Sequence, residues 1–131
     1  MKTLTITESL NHNVSLVWEI ISDLSRSDWV PGVDEISMEN DTREFFMQGM
    51  GKIKEKILLC DGRNKVLKYS AIETPAEIKH HLACIELTEN ETGCDFSWST
   101  EIDPEIYGSG VEQGMISSLE QLKKILDNQL P

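Results

Sequence analysis

The C-terminal end constrains the fold most. From Gly110, the apolar residues Val111, Met115, Leu119, Leu122 and Leu126 recur every three or four positions, the period of one helix face. The spacing predicts one amphipathic helix over 110–129, about five turns long. Before it, six segments read as strands, near 33–39, 43–48, 51–60, 65–73, 78–89 and 94–102. Their separators are rich in turn formers: Asn40-Asp41, Gly49, Asp61-Gly62-Arg63-Asn64, Thr74-Pro75-Ala76 and Asn90-Glu91-Thr92-Gly93. Short turns join antiparallel neighbours, so these strands form a meander.

Residues 3–9 alternate Leu4 and Ile6 with Thr3, Thr5 and Thr7, which adds a strand at the front. Asn13 can cap a helix carrying Val14, Val17, Trp18 and Ile21 at helical spacing, and Ser25 is read as the cap of a second short helix ending before Pro31-Gly32. The expected fold is α+β: one domain over 1–131, with a seven-stranded antiparallel sheet wrapped around the long C-terminal helix and two short helices after strand 1. A single helix cannot fill the concave side of a strongly twisted sheet, so a cavity is expected between them. In the competing reading, large side chains fill that space.

Composition narrows the partners. With 23 acidic against 12 basic residues, the 131-residue chain carries a formal charge of -11. That field repels phosphate backbones and anionic lipid surfaces, which argues against nucleic acid and membrane insertion. A neutral or cationic ligand and a basic protein partner remain. Cys60, Cys84 and Cys94 are odd in number and form no C-x-x-C pair, so neither a disulfide framework nor a zinc knuckle is indicated. Free thiols suit a reducing cytoplasm. The opening residues form no apolar leader core, and no run approaches a membrane span. The N-x-S/T matches at Asn13, Asn40 and Asn90 carry no meaning without secretion.

The order of elements and several residue patterns resemble the START/Bet v 1-like (SRPBCC) superfamily, nearest its polyketide cyclase/dehydrase and lipid-transport branch. The matching pieces are Val14-x-x-Val17-Trp18-x-x-Ile21-x-Asp23, Trp29-x-Pro31-Gly32-Val33, Gly51-x-Ile53-x-Glu55-Lys56-Ile57-x-x-x-Asp61, Leu67-x-Tyr69, Pro75, and Gly93-Cys94-x-Phe96-x-Trp98. The resemblance spans nearly the whole chain. It implies a helix-grip fold with a hydrophobic pocket but no single reaction, since members include lipid carriers, hormone receptors and aromatase/cyclases. The gate and latch motifs of the plant hormone receptors are absent; the corresponding turns read Gln48-Gly49-Met50-Gly51 and Glu73-Thr74-Pro75-Ala76.

Strand alternation assigns the inward faces. Ile53, Glu55 and Ile57 share one, opposite Lys52, Lys54 and Lys56. Leu67, Tyr69 and Ala71 share another, as do His81, Ala83, Ile85 and Leu87, and Phe96, Trp98, Thr100 and Ile102. A turn centred on Gly62 pairs Glu55 with Tyr69, and one centred on Pro75 pairs Tyr69 with His81. The expected result is a polar row, Glu55–Tyr69–His81, across three strands, with Glu55 and His81 roughly 10 Å apart. A bulge would break it. The row reads as ligand recognition, as a satisfied network ordering the core, as a water-filled pocket floor, or as acid–base chemistry with a raised glutamate pKa and a proton-accepting histidine.

Trp29 lines the pocket mouth or staples the second helix down. Phe45 and Trp18 read as core, with Phe45 or Met47, Tyr69, Trp98 and Met115 as the expected pocket lining. His80 faces outward, so it and His81 cannot grip one metal, and Glu55 with His81 is too small a metal set; no metal or cofactor is expected. No G-x-S-x-G elbow occurs, and Gly49-x-Gly51 marks a hairpin. The lysines at 52, 54 and 56 read as a solvated face.

Three functions follow. The first is a cavity that binds a lipid-, quinone-, polyketide- or isoprenoid-type molecule, in a cytoplasmic monomer or weak homodimer. The second is a cyclase/dehydratase acting through Glu55, Tyr69 or His81. The third is an interaction module using its acidic surface.

Overall fold

The computed structural model describes residues 1–129. The chain runs β1 (Lys2–Leu10), α1 (Val14–Ile21), β2 (Val33–Glu39), β3 (Thr42–Met47), β4 (Gly51–Asp61), β5 (Val66–Glu73), β6 (His80–Glu89), β7 (Cys94–Asp103) and α2 (Gly108–Asp127), with a short 3-10 turn at Glu105–Tyr107. The sheet has seven strands in the order β1-β7-β6-β5-β4-β3-β2, and every neighbouring pair is antiparallel. This is the expected helix-grip arrangement, with a meander from β2 to β7 completed by β1.

Turn chemistry explains the meander. Asn40 takes a left-handed conformation (φ 55°) between β2 and β3, and Gly49 (φ 84°) does so between β3 and β4. Asn and Gly adopt that region at the least cost. Between β4 and β5 the Asp61 carboxylate accepts the backbone N–H groups of Arg63 and Asn64, an Asx-type turn.

α1 starts where Asn13 accepts the Ser15 N–H at 2.8 Å. It buries Val14, Val17, Ile20 and Ile21, and ends at Ser22. The second short helix expected from Ser25 does not form. Residues 22–32 run as turns, with separate bonds from Arg26 N–H to Asp23 O and from Val30 N–H to Ser27 O. Polar side chains hold this path: Ser25 donates to Asp23, Arg26 to Asp28, and Ser27 to the Asp34 carbonyl. Such local bonds compete with helix, and Pro31 brings no N–H.

α2 begins two residues earlier than the spacing predicts and ends at Asp127. It buries Met115, Ser118, Leu119, Leu122 and Leu126, as the periodicity requires, and packs against β1 and β7. His12 meets Asp127 at 3.0 Å, and Lys123 pairs with Glu8 by charge without an aligned hydrogen bond.

Two apolar clusters result. The main one joins α1, α2, β1 and β5–β7 around Phe96, Leu67, Ile85 and Leu122, and includes Trp29, Tyr69, Trp98 and Met115. A smaller one, at the far end of the sheet, holds Val33, Phe45 and Ile53 with Met47 beside them.

Candidate functional site

A charged pair on the sheet's inner face accompanies these clusters. Arg43 lies directly opposite Glu55 in the β3–β4 ladder. Its Nε donates to Glu55 Oε1 at 2.8 Å, its Nη1 reaches the Leu24 carbonyl at 3.5 Å, and its Cζ stands 4.7 Å over the Tyr69 ring. Tyr69 is thus clamped by a cation on its face. Glu55 and Tyr69 are both buried. Burial raises the Glu55 pKa and outweighs the opposing pull of Arg43. Burial first, and the Glu55 charge second, push the Tyr69 hydroxyl well above its ordinary value, so it stays a proton donor.

The expected row is corrected in register. Glu55 faces Ala71, and Tyr69 faces Ile57 on one side and Ala83 on the other. The β4–β5 turn pairs Asp61 with Val66, so it is not centred on Gly62, and β4 bulges between Ile57 and Leu59. The β5–β6 connection likewise is not centred on Pro75. Each slip is of two residues, so all three side chains keep their face, but Tyr69 is not paired with either partner.

His81 has a different task from the one expected. The β5–β6 ladder ends at Tyr69 and Ala83, and His81 fills the break. Its Nδ1 accepts the Ala71 N–H at 2.9 Å, while the Ser70 hydroxyl donates to the His81 carbonyl. That places the imidazole proton on Nε2. Desolvation, then His80, lowers the His81 pKa to about 4. A neutral ring whose free acceptor is already used is a poor proton acceptor. Its ring centre is 6.1 Å from that of Tyr69.

The structure brings Trp29, Tyr69, Trp98 and Met115 into one cluster. The Trp29 and Trp98 rings are 5.9 Å apart, and Thr100 donates to the Met115 sulfur at 3.5 Å. Phe45 and Met47 lie in the other cluster. The Trp98 indole Nε1 is buried without a hydrogen-bond partner; it stands toward the Tyr69 hydroxyl, close enough to counter the rise in its pKa but outside ordinary hydrogen-bond geometry. Two open clefts lie outside that cluster: one of about 380 Å3 beside Asn13 and Glu89–Gly93, and one of about 400 Å3 at the β5–β6 break, lined by Leu58, Ser70, Ala71, Ile72, Leu82 and by His81 itself. Neither is the enclosed space expected under α2, where the aromatic side chains pack on one another. No cluster of three or more metal-ligating side chains occurs among the described residues, and none of their helices is long and apolar enough to cross a membrane.

Arg43 was the residue that strand alternation alone missed. The signal was present: Gly49 is equidistant from Arg43 and Glu55, so the hairpin it marks pairs them.

Comparison with known proteins gives the same architecture. Protein XoxI from Bacillus cereus superposes with a TM-score of 0.87 over 96% of each chain, at 18% identity. A protein from Bacillus thuringiensis gives 0.84 over 95% of this chain and 98% of its own, also at 18%. Norcoclaurine synthase from Thalictrum flavum gives 0.76 over 95% and 85%, again at 18%. At these identities the likeness is one of fold. No curated protein matches the sequence. The model of one family, described as polyketide cyclase/dehydrase and lipid transport, matches residues 1–128, and the chain belongs to that family.

Proposed function

We propose that this chain binds an apolar or amphipathic small molecule, of lipid, quinone, polyketide or isoprenoid type, against the concave face of its sheet beneath α2. The observation that carries this reading is the buried Arg43–Glu55 pair beside Tyr69 on an otherwise apolar face. Desolvating two charges costs stability that their attraction does not reliably return; orienting a ligand gives a reason to keep them. Trp29, Trp98 and Met115 supply the apolar wall, Phe45 and Met47 close its far end, and His81 seals the strand break at its side. Access requires α2 or the turn segment 22–32 to move. The chain acts in this reading as a cytoplasmic monomer or weak homodimer without nucleic acid.

Native mass spectrometry of the purified protein tests it directly, because a co-purified small molecule identifies the ligand class. Glu55→Gln should weaken ligand binding by roughly 5- to 150-fold, the equivalent of about 1–3 kcal/mol for a buried partner left unpaired, with the fold intact. A variant that binds and melts like the parent removes Glu55 from the site.

The raised Glu55 pKa favours one second reading, a cyclase/dehydratase-like enzyme in which Glu55 moves the proton, with Tyr69 as donor. His81, neutral and engaged, contributes position at most. In that case Glu55→Gln abolishes turnover while binding survives.

A further inference from the structure

The β5–β6 ladder stops at Tyr69 and Ala83, although β5 runs on to Glu73 and β6 begins at His80. The open cleft of about 400 Å3 lies at that break, and its lining has two characters. Leu58 and Ile72 are exposed apolar residues, each left without a partner where the β4–β5 register shifts, and Leu82 stands with them in the cleft. Lys56, Lys79, His80 and His81 supply cations or N–H donors, and none of the lining residues is acidic. In a chain with 23 acidic against 12 basic residues, the cleft reverses the overall field locally.

The donors are unequally free. His80 meets Glu101 at 2.9 Å, and Lys56 stands 3.9 Å from Asp41. Lys79 is exposed and enters no ion pair among the described residues. His81 Nδ1 accepts the Ala71 N–H at 2.9 Å, so the neutral ring carries its proton on Nε2. That Nε2–H meets no acceptor among the described residues and is not sealed from solvent.

We propose that this cleft binds a small amphipathic monocarboxylate, its head taken by the His81 Nε2–H and the Lys79 ammonium and its apolar body laid on Leu58, Ile72 and Leu82. A cleft of this volume suits one small molecule. A carboxylate accepts both donors at once, in charge-assisted bonds. An alcohol of the same length brings no charge to Lys79, an amine opposes it, and a bare anion leaves the apolar wall in water. The site is separate from the concave-face site proposed above and does not depend on it.

Octanoate tests this, with octan-1-ol as the control for the head and acetate as the control for the tail. Each is titrated into the full chain labelled with 15N, and its amide and indole shifts are followed. The expected result is saturable octanoate shifts centred on Ser70–Glu73 and Lys79–Leu82, octan-1-ol about tenfold weaker, and no saturation by acetate. Added salt should weaken octanoate and spare octan-1-ol. Lys79→Gln changes an exposed side chain, so it should leave the melting temperature unchanged while weakening octanoate about fivefold. Equal binding of octanoate and octan-1-ol overturns the proposal, as does a Lys79→Gln variant that binds octanoate like the parent. Shifts that spread over all the lysines without saturating show unspecific ion pairing and overturn it too. Saturable shifts confined to Trp29, Trp98 and Met115 place octanoate on the inner face; they overturn this proposal and support the binding reading. Absence of any octanoate shift overturns this proposal alone and leaves the binding reading to its own test by native mass spectrometry.

Discussion

Arg43 and Glu55 stand opposite each other on β3 and β4 and meet at 2.8 Å, with both side chains only 12% exposed. The pair bears a direct relation to Tyr69, because the same guanidinium covers that ring. Three polar side chains from three consecutive strands are thereby held as one unit inside an apolar setting.

Breaking that unit on one side should cost more than removing it. Arg43→Met leaves an uncompensated buried carboxylate and should lower stability by about 3–5 kcal/mol. Arg43→Met combined with Glu55→Leu should recover most of the loss. Urea unfolding of the four proteins in the cycle measures this, and a double variant as unstable as the single one contradicts it.

His81 should make stability depend on acid. Its folded pKa of about 4 lies below the ordinary 6.5, so the unfolded chain takes up the proton first. The stabilising share is complete above pH 6.5 and is lost as pH falls toward 4, amounting to about 3 kcal/mol over that window. Glu55 acts in the opposite sense, because its raised pKa favours the folded state at low pH. Comparison with His81→Asn cancels that contribution. The Asn carbonyl can still accept the Ala71 N–H but does not titrate, so the parent should lose stability relative to it between pH 6.5 and 4. Parallel pH curves would show that His81 is not held neutral.

Leu122 is fully buried where α2 meets the main core. Leu122→Ala should cost about 2–5 kcal/mol through lost burial and the cavity left behind. The change should appear in the urea midpoint with an unchanged slope.

Two glycines should respond oppositely to alanine. A Cβ on Gly93 would lie 2.2 Å from the Leu10 carbonyl and 2.6 Å from the His12 nitrogen. Both are backbone atoms that cannot step aside, so Gly93→Ala should destabilise by more than about 3 kcal/mol or prevent folding. A Cβ on Gly114 meets nothing within 4 Å. There Gly114→Ala in α2 should raise stability by up to about 1 kcal/mol. Thermal melts of both variants check the contrast.

The strands and α2 were legible because their apolar residues keep periods that only those elements satisfy, and Asn40, Gly49 and Gly93 punctuate them. The inward face of Glu55, Tyr69 and His81 was legible for the same reason, since a two-residue slip does not change face. Their pairing was not, because it depended on a bulge after Ile57 and on an uncentred β5–β6 connection, neither of which leaves a periodic trace. The 22–32 segment was misread because Ser25 and Pro31-Gly32 look like helix ends, while the side-chain bonds that hold the turns are local and aperiodic. The strand-break role of His81 was likewise invisible, because it uses an imidazole where a backbone carbonyl was expected.

β1 lies beside β7, pairing Lys2 with Ile102 and Leu10 with Cys94. β1 therefore waits for nearly the last strand of the sheet before it can join it. Until then Leu4, Ile6 and Leu10 have no partner strand, and no segment shorter than about the first hundred residues can close the core. Pairing at such sequence separation carries a large loop-closure entropy and slows folding relative to a helical protein of this size. The threonines between those apolar residues, and Glu8 among them, then keep the waiting strand from presenting a fully apolar ribbon to other chains.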